Sequence, residues 1–130
     1  MPVENTASGG EISRLMLCIK SIIAQNMQLP TIIFDEVDTG VSGDIANRMG
    51  EMMCRISKNI QVITITHLPQ VAVKGDNHIK VYKKDSKDAT FTAIKELSQE
   101  ERVNEIAAML SGEKIDTAAI ENAKSLMGIK

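Results

Sequence analysis

Thr31-Ile32-Ile33-Phe34-Asp35-Glu36 is the stretch on which the reading turns. Its first four residues are all β-branched or aromatic, the types that fit a pleated strand. They run straight into two adjacent carboxylates. An apolar strand that ends this way puts acid at the carboxyl edge of a sheet, where open α/β sheets bind their ligands. Neighbouring strand residues face opposite sides. Asp35 and Glu36 can therefore take different tasks, one holding Mg²⁺ directly or through water and the other orienting an attacking water. The plainer reading, a strand ending in a solvated acidic turn, stays open on these residues alone.

Upstream of that strand, residues 1–7 read as an extended lead-in. Ser8-Gly9-Gly10-Glu11 then opens a helical pattern, with Ile12, Leu15, Met16, Ile19, Ile22 and Ile23 at steps of three and four. Ser8 and Glu11 have the spacing of a capping box, and Pro30 sets the limit of the helix. Downstream, a polar loop with Gly40 and Gly43 leads into a second helix over Asp44–Ser57, with Ile45, Met49, Met52, Met53 and Ile56 on one face. A second buried strand follows over residues 60–66 and ends at His67. Strand, helix, strand in this order predicts a parallel pair with a right-handed crossover.

Beyond a short helical turn near Pro69–Val73, the pattern changes. Residues 78–84 and 89–95 alternate as the strands of an antiparallel hairpin around Lys84-Asp85-Ser86-Lys87. Ser98-x-x-Glu101 is a second capping signature, and it starts a helix that stops near Gly112. A last helix spans about Thr117–Met127. The fold class is therefore α/β: parallel strands with flanking helices, then a hairpin and two helices.

Composition narrows the function. The chain has 130 residues, the size of one domain, and residues 1–130 are read as one. With 43% apolar and 25% charged residues, a disordered or collagen-like chain is excluded. Aromatic residues make up only 2%, which argues against a stacking platform for single-stranded nucleic acid. A net charge of −2 is not that of a surface built to grip phosphate backbone. Cys18 and Cys54 lie in helical patterns, outside any CxxC, and read as buried reduced thiols. No apolar run approaches the ~20 residues of a membrane span, and no signal peptide opens the chain. A reduced, cytoplasmic setting without a membrane is expected.

Three further features bear on chemistry. Two glycines at a helix start let a phosphate approach bare backbone, where the helix terminus favours negative charge. His67 at a strand end can donate a hydrogen bond to phosphate. Asp38 stands two residues past Glu36. Each has a bland alternative: a capped helix with a flexible entry, a satisfied structural histidine, a loop acid.

Together, in this order, they resemble the signature motif, Walker B motif, D-loop and switch histidine of ABC-type ATPases. Within that superfamily the chain resembles the RecN family of bacterial DNA repair proteins, relatives of the SMC proteins. Ala7-Ser8-Gly9-Gly10-Glu11-Ile12-Ser13-Arg14, Phe34-Asp35-Glu36-Val37-Asp38-Thr39-Gly40-Val41-Ser42-Gly43 and Thr64-Ile65-Thr66-His67-Leu68-Pro69-Gln70-Val71-Ala72 carry the resemblance. A transporter subunit is disfavoured by Glu11 and by the loop after Glu36.

The resemblance implies roles. Asp35 would hold Mg²⁺ through its water shell, and Glu36 would polarise the hydrolytic water. His67 would contact the γ-phosphate of ATP. Ser8, Gly9, Gly10 and Glu11 would meet ATP bound to the opposite head of an ATP-dependent homodimer. Asp38 would couple the two sites. Arg14, a turn beyond Gly10, reads better as a solvated helix charge. Leu110-Ser111-Gly112-Glu113 looks like a second signature but has one glycine and ends a helix, so it reads as a C-cap. Lysines 74, 80, 83, 84, 87 and 95 read as solvated charge around the hairpin, with DNA contact the alternative.

No G-x-x-x-x-G-K-[ST] occurs. That loop's backbone and Lys hold most of a nucleotide's phosphates. The chain is thus expected to be the C-terminal portion of a P-loop ABC-type head, with the N-terminal half of the head as its partner and DNA bound by the full-length protein. The expected function is ATP binding and hydrolysis in double-strand break repair and recombination. The alternative is a non-catalytic interaction module derived from such a head. The isolated chain is expected to be inactive.

Overall fold

The computed structural model describes residues 9–41, 43–112 and 114–129. They form two compact units, one up to Lys74 and one from Gly75 onward, each with its own core.

The first unit begins with helix α1 (Gly9–Asn26), strand β1 (Thr31–Asp35), helix α2 (Gly43–Ile56), strand β2 (Gln61–Ile65) and the short helix α3 (Pro69–Ala72). β1 and β2 pair in parallel, with Phe34 opposite Thr64 and Asp35 opposite Ile65. The crossover order read from the pattern is therefore present. One core gathers Leu17 and Ala24 of α1, Ile32 and Phe34 of β1, Ala46, Met49, Met53 and Ile56 of α2, and Val71 of α3. Gly50 lies where α2 approaches α3. A Cβ there would stand 2.8 Å from the Lys74 side chain and 3.2 Å from the Gln70 carbonyl.

Two expectations need correction. The apolar runs predict buried strands, but only one sheet face is covered. Ile33, Ile63 and Ile65 are exposed while Ile32 and Phe34 are buried. Likewise, α1 buries Leu17, Ser21 and Ala24 and exposes Leu15, Met16, Ile19, Ile22 and Ile23. An apolar pattern marks surface that favours burial, and among the described residues nothing covers those side chains. The two cysteines are half-buried free thiols. Cys54 donates to the Lys74 carbonyl at 3.3 Å, and Cys18 sits 4.0 Å from the Met52 sulfur.

The second unit holds the hairpin β3 (Ile79–Asp85) and β4 (Thr90–Glu96), then helices α4 (Gln99–Ser111) and α5 (Thr117–Met127). The strands pair antiparallel, with Val81 opposite Ile94. Val103, Ile106, Ala107, Ala119 and Ala123 are its buried apolar residues. The capping box at Ser98 is complete: Glu101 N–H donates to Ser98 Oγ at 3.2 Å, and Ser98 N–H donates to Glu101 Oε1 at 3.1 Å. Gly112 ends α4 at φ 82°, as a C-cap and not a signature; Glu113 lies outside the described residues. Lys80 pairs with Glu105 at 2.7 Å, and Lys95 pairs with Glu101. Two members of the lysine cluster are thus tied to α4. Burial and the nearby Arg102 guanidinium hold the His78 imidazole below its ordinary range.

Among the described residues, no helix is long and apolar enough to cross a membrane.

Candidate functional site at the carboxyl ends of the parallel strands

The loops leaving β1 and β2 start side by side, because the strands that feed them are parallel and paired to their last residue. The pairing extends one step beyond β1: Glu36 N–H donates to the Ile65 carbonyl at 2.9 Å. The chain then turns sharply. Glu36 has φ 52°, left-handed backbone that a non-glycine residue adopts at a cost. Thr39 holds the turn, its N–H donating to the Glu36 carbonyl at 3.3 Å and its hydroxyl donating to the same oxygen at 2.8 Å. Val41 N–H closes the next step on the Asp38 carbonyl at 3.1 Å.

This geometry separates the three acids. Asp35 ends β1 exposed to solvent. Glu36 turns towards the end of β2, where its Oε1 meets Nε2 of His67. Both side chains are open to solvent, His67 at 83% and Glu36 at 43%. Asp38 does the opposite: it is 3% exposed. Its Oδ2 accepts the hydroxyl of Thr66. Thr66 Oγ in turn accepts Leu68 N–H at 3.0 Å.

Glu36 and His67 therefore meet, Asp38 is joined through Thr66 to the end of the neighbouring strand, and Asp35 precedes Glu36 at the end of β1. Sequence reasoning missed Thr66 and Thr39. One signal for Thr66 exists: an acid destined for burial needs a donor, and Thr66 is the hydroxyl at the neighbouring strand end. Gly9 and Gly10 open α1. Ser8 lies outside the described residues, and with it the capping box expected from its spacing to Glu11; nothing described ties the two glycines to the Glu36 cluster. Arg14 is exposed and lines a shallow groove with Arg48, Glu51 and Arg55. Asp44 pairs with Arg48 there at 2.9 Å.

The arrangement offers a solvent-open carboxylate beside an imidazole that can carry a proton on Nε2. Such a pair can orient a water and hold the proton it gives up. Among the described residues, no group of three or more His, Cys, Asp or Glu could hold a metal by protein ligands alone. Mg²⁺ keeps several waters and is commonly held by one or two carboxylates with substrate phosphates. Asp35, a hard oxygen donor open to water, fits an ion held in that way.

Known proteins with similar sequences and folds share this frame. No protein-family model matches the chain. The DNA repair protein RecN of Rickettsia conorii is 45% identical over 125 residues, covering 96% of this chain and 23% of that protein. RecN of Halalkalibacterium halodurans is 43% identical over 128 residues, 98% of this chain and 23% of that protein. RecN of Bacillus subtilis is 44% identical over 125 residues, 96% of this chain and 22% of that protein. The chain thus spans less than a quarter of the curated relatives it matches. Among solved structures, one from work on ATP-driven dimerization and DNA stimulated activation of SMC ATPases superposes at TM-score 0.68 and 22% identity, over 85% of this chain and 66% of that one. An Smc head domain with coiled coil and joint derived from Pyrococcus yayanosii gives 0.66 at 24% identity, over 78% and 19%. The fold is that of an SMC-type ATPase head segment.

Proposed function

From a chain that is RecN-like along nearly its whole length, we propose an ATP-binding and hydrolysing head segment of a RecN-type protein, acting in DNA double-strand break repair in the bacterial cytoplasm. Residues 1–130 make up the C-terminal part of one head. The N-terminal part of the head supplies the phosphate-cradling loop, and a second head completes the site. The observation that carries the reading is the Glu36 turn: a strained backbone that aims a solvent-open carboxylate at His67.

The proposed roles are those that the family resemblance gives these residues. Glu36 orients the attacking water and draws its proton. His67 stands where its imidazole can donate to a phosphate oxygen and return to Glu36. Asp35 holds Mg²⁺ through water, which would supply charge neutralisation at the phosphates. Ser8, Gly9, Gly10 and Glu11 at the α1 terminus serve the nucleotide on the opposite head, and Asp38 links the two sites. Phosphoryl transfer depends on positioning and charge stabilisation more than on covalent help from the protein, so these groups act only together with the phosphate-cradling loop of the other half of the head.

The test is a chimera in which this chain replaces the matching segment of Bacillus subtilis RecN. The chimera should hydrolyse ATP. Its Glu36→Gln form should bind ATP with little change but lose roughly 100-fold or more in turnover, in keeping with general acid–base magnitudes. The chain alone should show no steady hydrolysis, having no phosphate-cradling loop. Equal turnover with and without Glu36→Gln would overturn the assignment. A folded chimera with no turnover would favour a non-catalytic module.

A further inference from the structure

We infer that Thr66 is a positioning residue: its hydroxyl locks the turn that carries His67 to the loop that carries Glu36 and Asp38. The inference rests on the ATPase reading above and adds to it a residue to which that reading gives no role.

The hydroxyl is used in both senses. It donates to Oδ2 of Asp38 and accepts Leu68 N–H at 3.0 Å. A hydroxyl has one proton to give and lone pairs to receive, so Thr66 can bridge an acid and a backbone amide at once. The amide belongs to the residue after His67, and fixing it fixes the path of the chain through His67. The acid is two residues past Glu36, on a loop already tied by Thr39 and Val41. The two turns thus meet at one oxygen.

Burial gives the bridge its stiffness. Asp38 is 3% exposed, so water does not readily replace Thr66 as its donor, and a buried polar group left unpaired is costly. The Glu36–His67 pair, by contrast, is exposed and easily broken. The open pair can therefore separate to admit water and phosphate while the buried bridge keeps both side chains within reach. The same bridge lets any shift of the Asp38 loop reach His67 through one side chain. The role is positional: Thr66 need not touch the reacting atoms.

The test uses the chimera and four substitutions. Thr66→Val keeps the branched shape and removes the hydroxyl. It should lower kcat by about 10-fold or more with KM for ATP changed less than about 3-fold, the pattern of a lost transition-state arrangement. Thr66→Ser restores the hydroxyl and should return kcat to within about 3-fold of the parent. A purely structural role would lower stability without that split or that rescue. Thr66→Val also strands the Asp38 carboxylate. If it does not fold, Thr66→Val with Asp38→Asn removes the stranded charge; folding of that pair with kcat about 10-fold below that of Thr66→Ser with Asp38→Asn, which keeps the hydroxyl, supports the inference. Unchanged kcat in a folded Thr66→Val, or equal kcat in the two paired variants, with Glu36→Gln still inactive, overturns it and leaves the ATPase reading standing. If Glu36→Gln also hydrolyses normally, it is the ATPase reading that fails.

Discussion

At Glu36 a single dihedral angle separates function from stability. Its φ of 52° places a side chain where glycine would be at ease. Gln28 has φ 53°, just past the end of α1, where Leu29 N–H closes on the Ala24 carbonyl at 3.0 Å in the manner of a helix C-cap. The two residues carry the same kind of strain in different settings. Substituting either by Gly should stabilise the chain by roughly 0.5–1 kcal/mol, the usual scale for relieving such a backbone. Urea unfolding of both variants checks this. Only Glu36→Gly should abolish turnover in the chimera. Equal loss of turnover from Gln28→Gly would show that backbone strain in general, and not the Glu36 carboxylate, is what hydrolysis needs. None of this is legible in the letters Asp35-Glu36-Val37: sequence places a carboxylate after a strand, but the angle depends on Thr39 and on the pairing with Ile65.

Elements were legible where one local rule decides them. Ser98 and Glu101 carry a capping box in sequence and in space, because both its hydrogen bonds lie within four consecutive residues. The face a helix buries is not a local property. In α1 the isoleucines set the pattern, yet the buried line is Leu17, Ser21 and Ala24. The hairpin strands run over Ile79–Asp85 and Thr90–Glu96, each shifted one residue towards the C-terminus from the expected 78–84 and 89–95. The capping box also makes a pH-dependent claim. Hydrogen bonding from Lys95 first, then from the Ser98 backbone and hydroxyl, holds the Glu101 carboxyl down at about 2 from an ordinary 4.5. In acid the unfolded chain takes up that proton before the folded one does. The contribution is therefore present above about pH 4.5 and lost as pH falls towards 2. Glu101 is open to solvent, so salt should weaken the effect. Glu101→Gln keeps an acceptor for Ser98 N–H but loses the Lys95 pairing. Its thermal midpoint should fall less steeply than the parent's across that window, and the two slopes should converge in high salt. Ser98→Ala should cost about 1 kcal/mol at neutral pH.

Across the whole molecule, the strand order was readable because a strand, helix, strand pattern with a right-handed crossover leaves little choice. That a sequence without the phosphate-cradling loop leaves apolar surface bare was readable too; which side chains stay bare was not, since that depends on what else is present to cover them. Leu15, Met16, Ile19, Ile22 and Ile23 on α1 are 41–57% exposed, and Ile33, Ile63 and Ile65 on the sheet are 44–56% exposed. Clusters of this kind are rare on monomers and mark contact surfaces or aggregation sites. Among the described residues the sheet has two strands, so each strand has one edge without a described neighbour. The isolated chain should therefore self-associate as its concentration rises, measured by light scattering. Ile19→Glu with Ile23→Glu should reduce that association. It should leave secondary structure intact, because both side chains already face solvent. In the chimera the same pair should do harm, lowering soluble yield and ATP turnover, because there the proposed N-terminal half of the head covers the α1 face and would bury two carboxylates. Gain in the isolated chain and loss in the chimera is the combination that a missing half of the head requires. A parent chain that stays monomeric at high concentration, or a chimera indifferent to the two glutamates, would mean that the apolar face of α1 meets nothing.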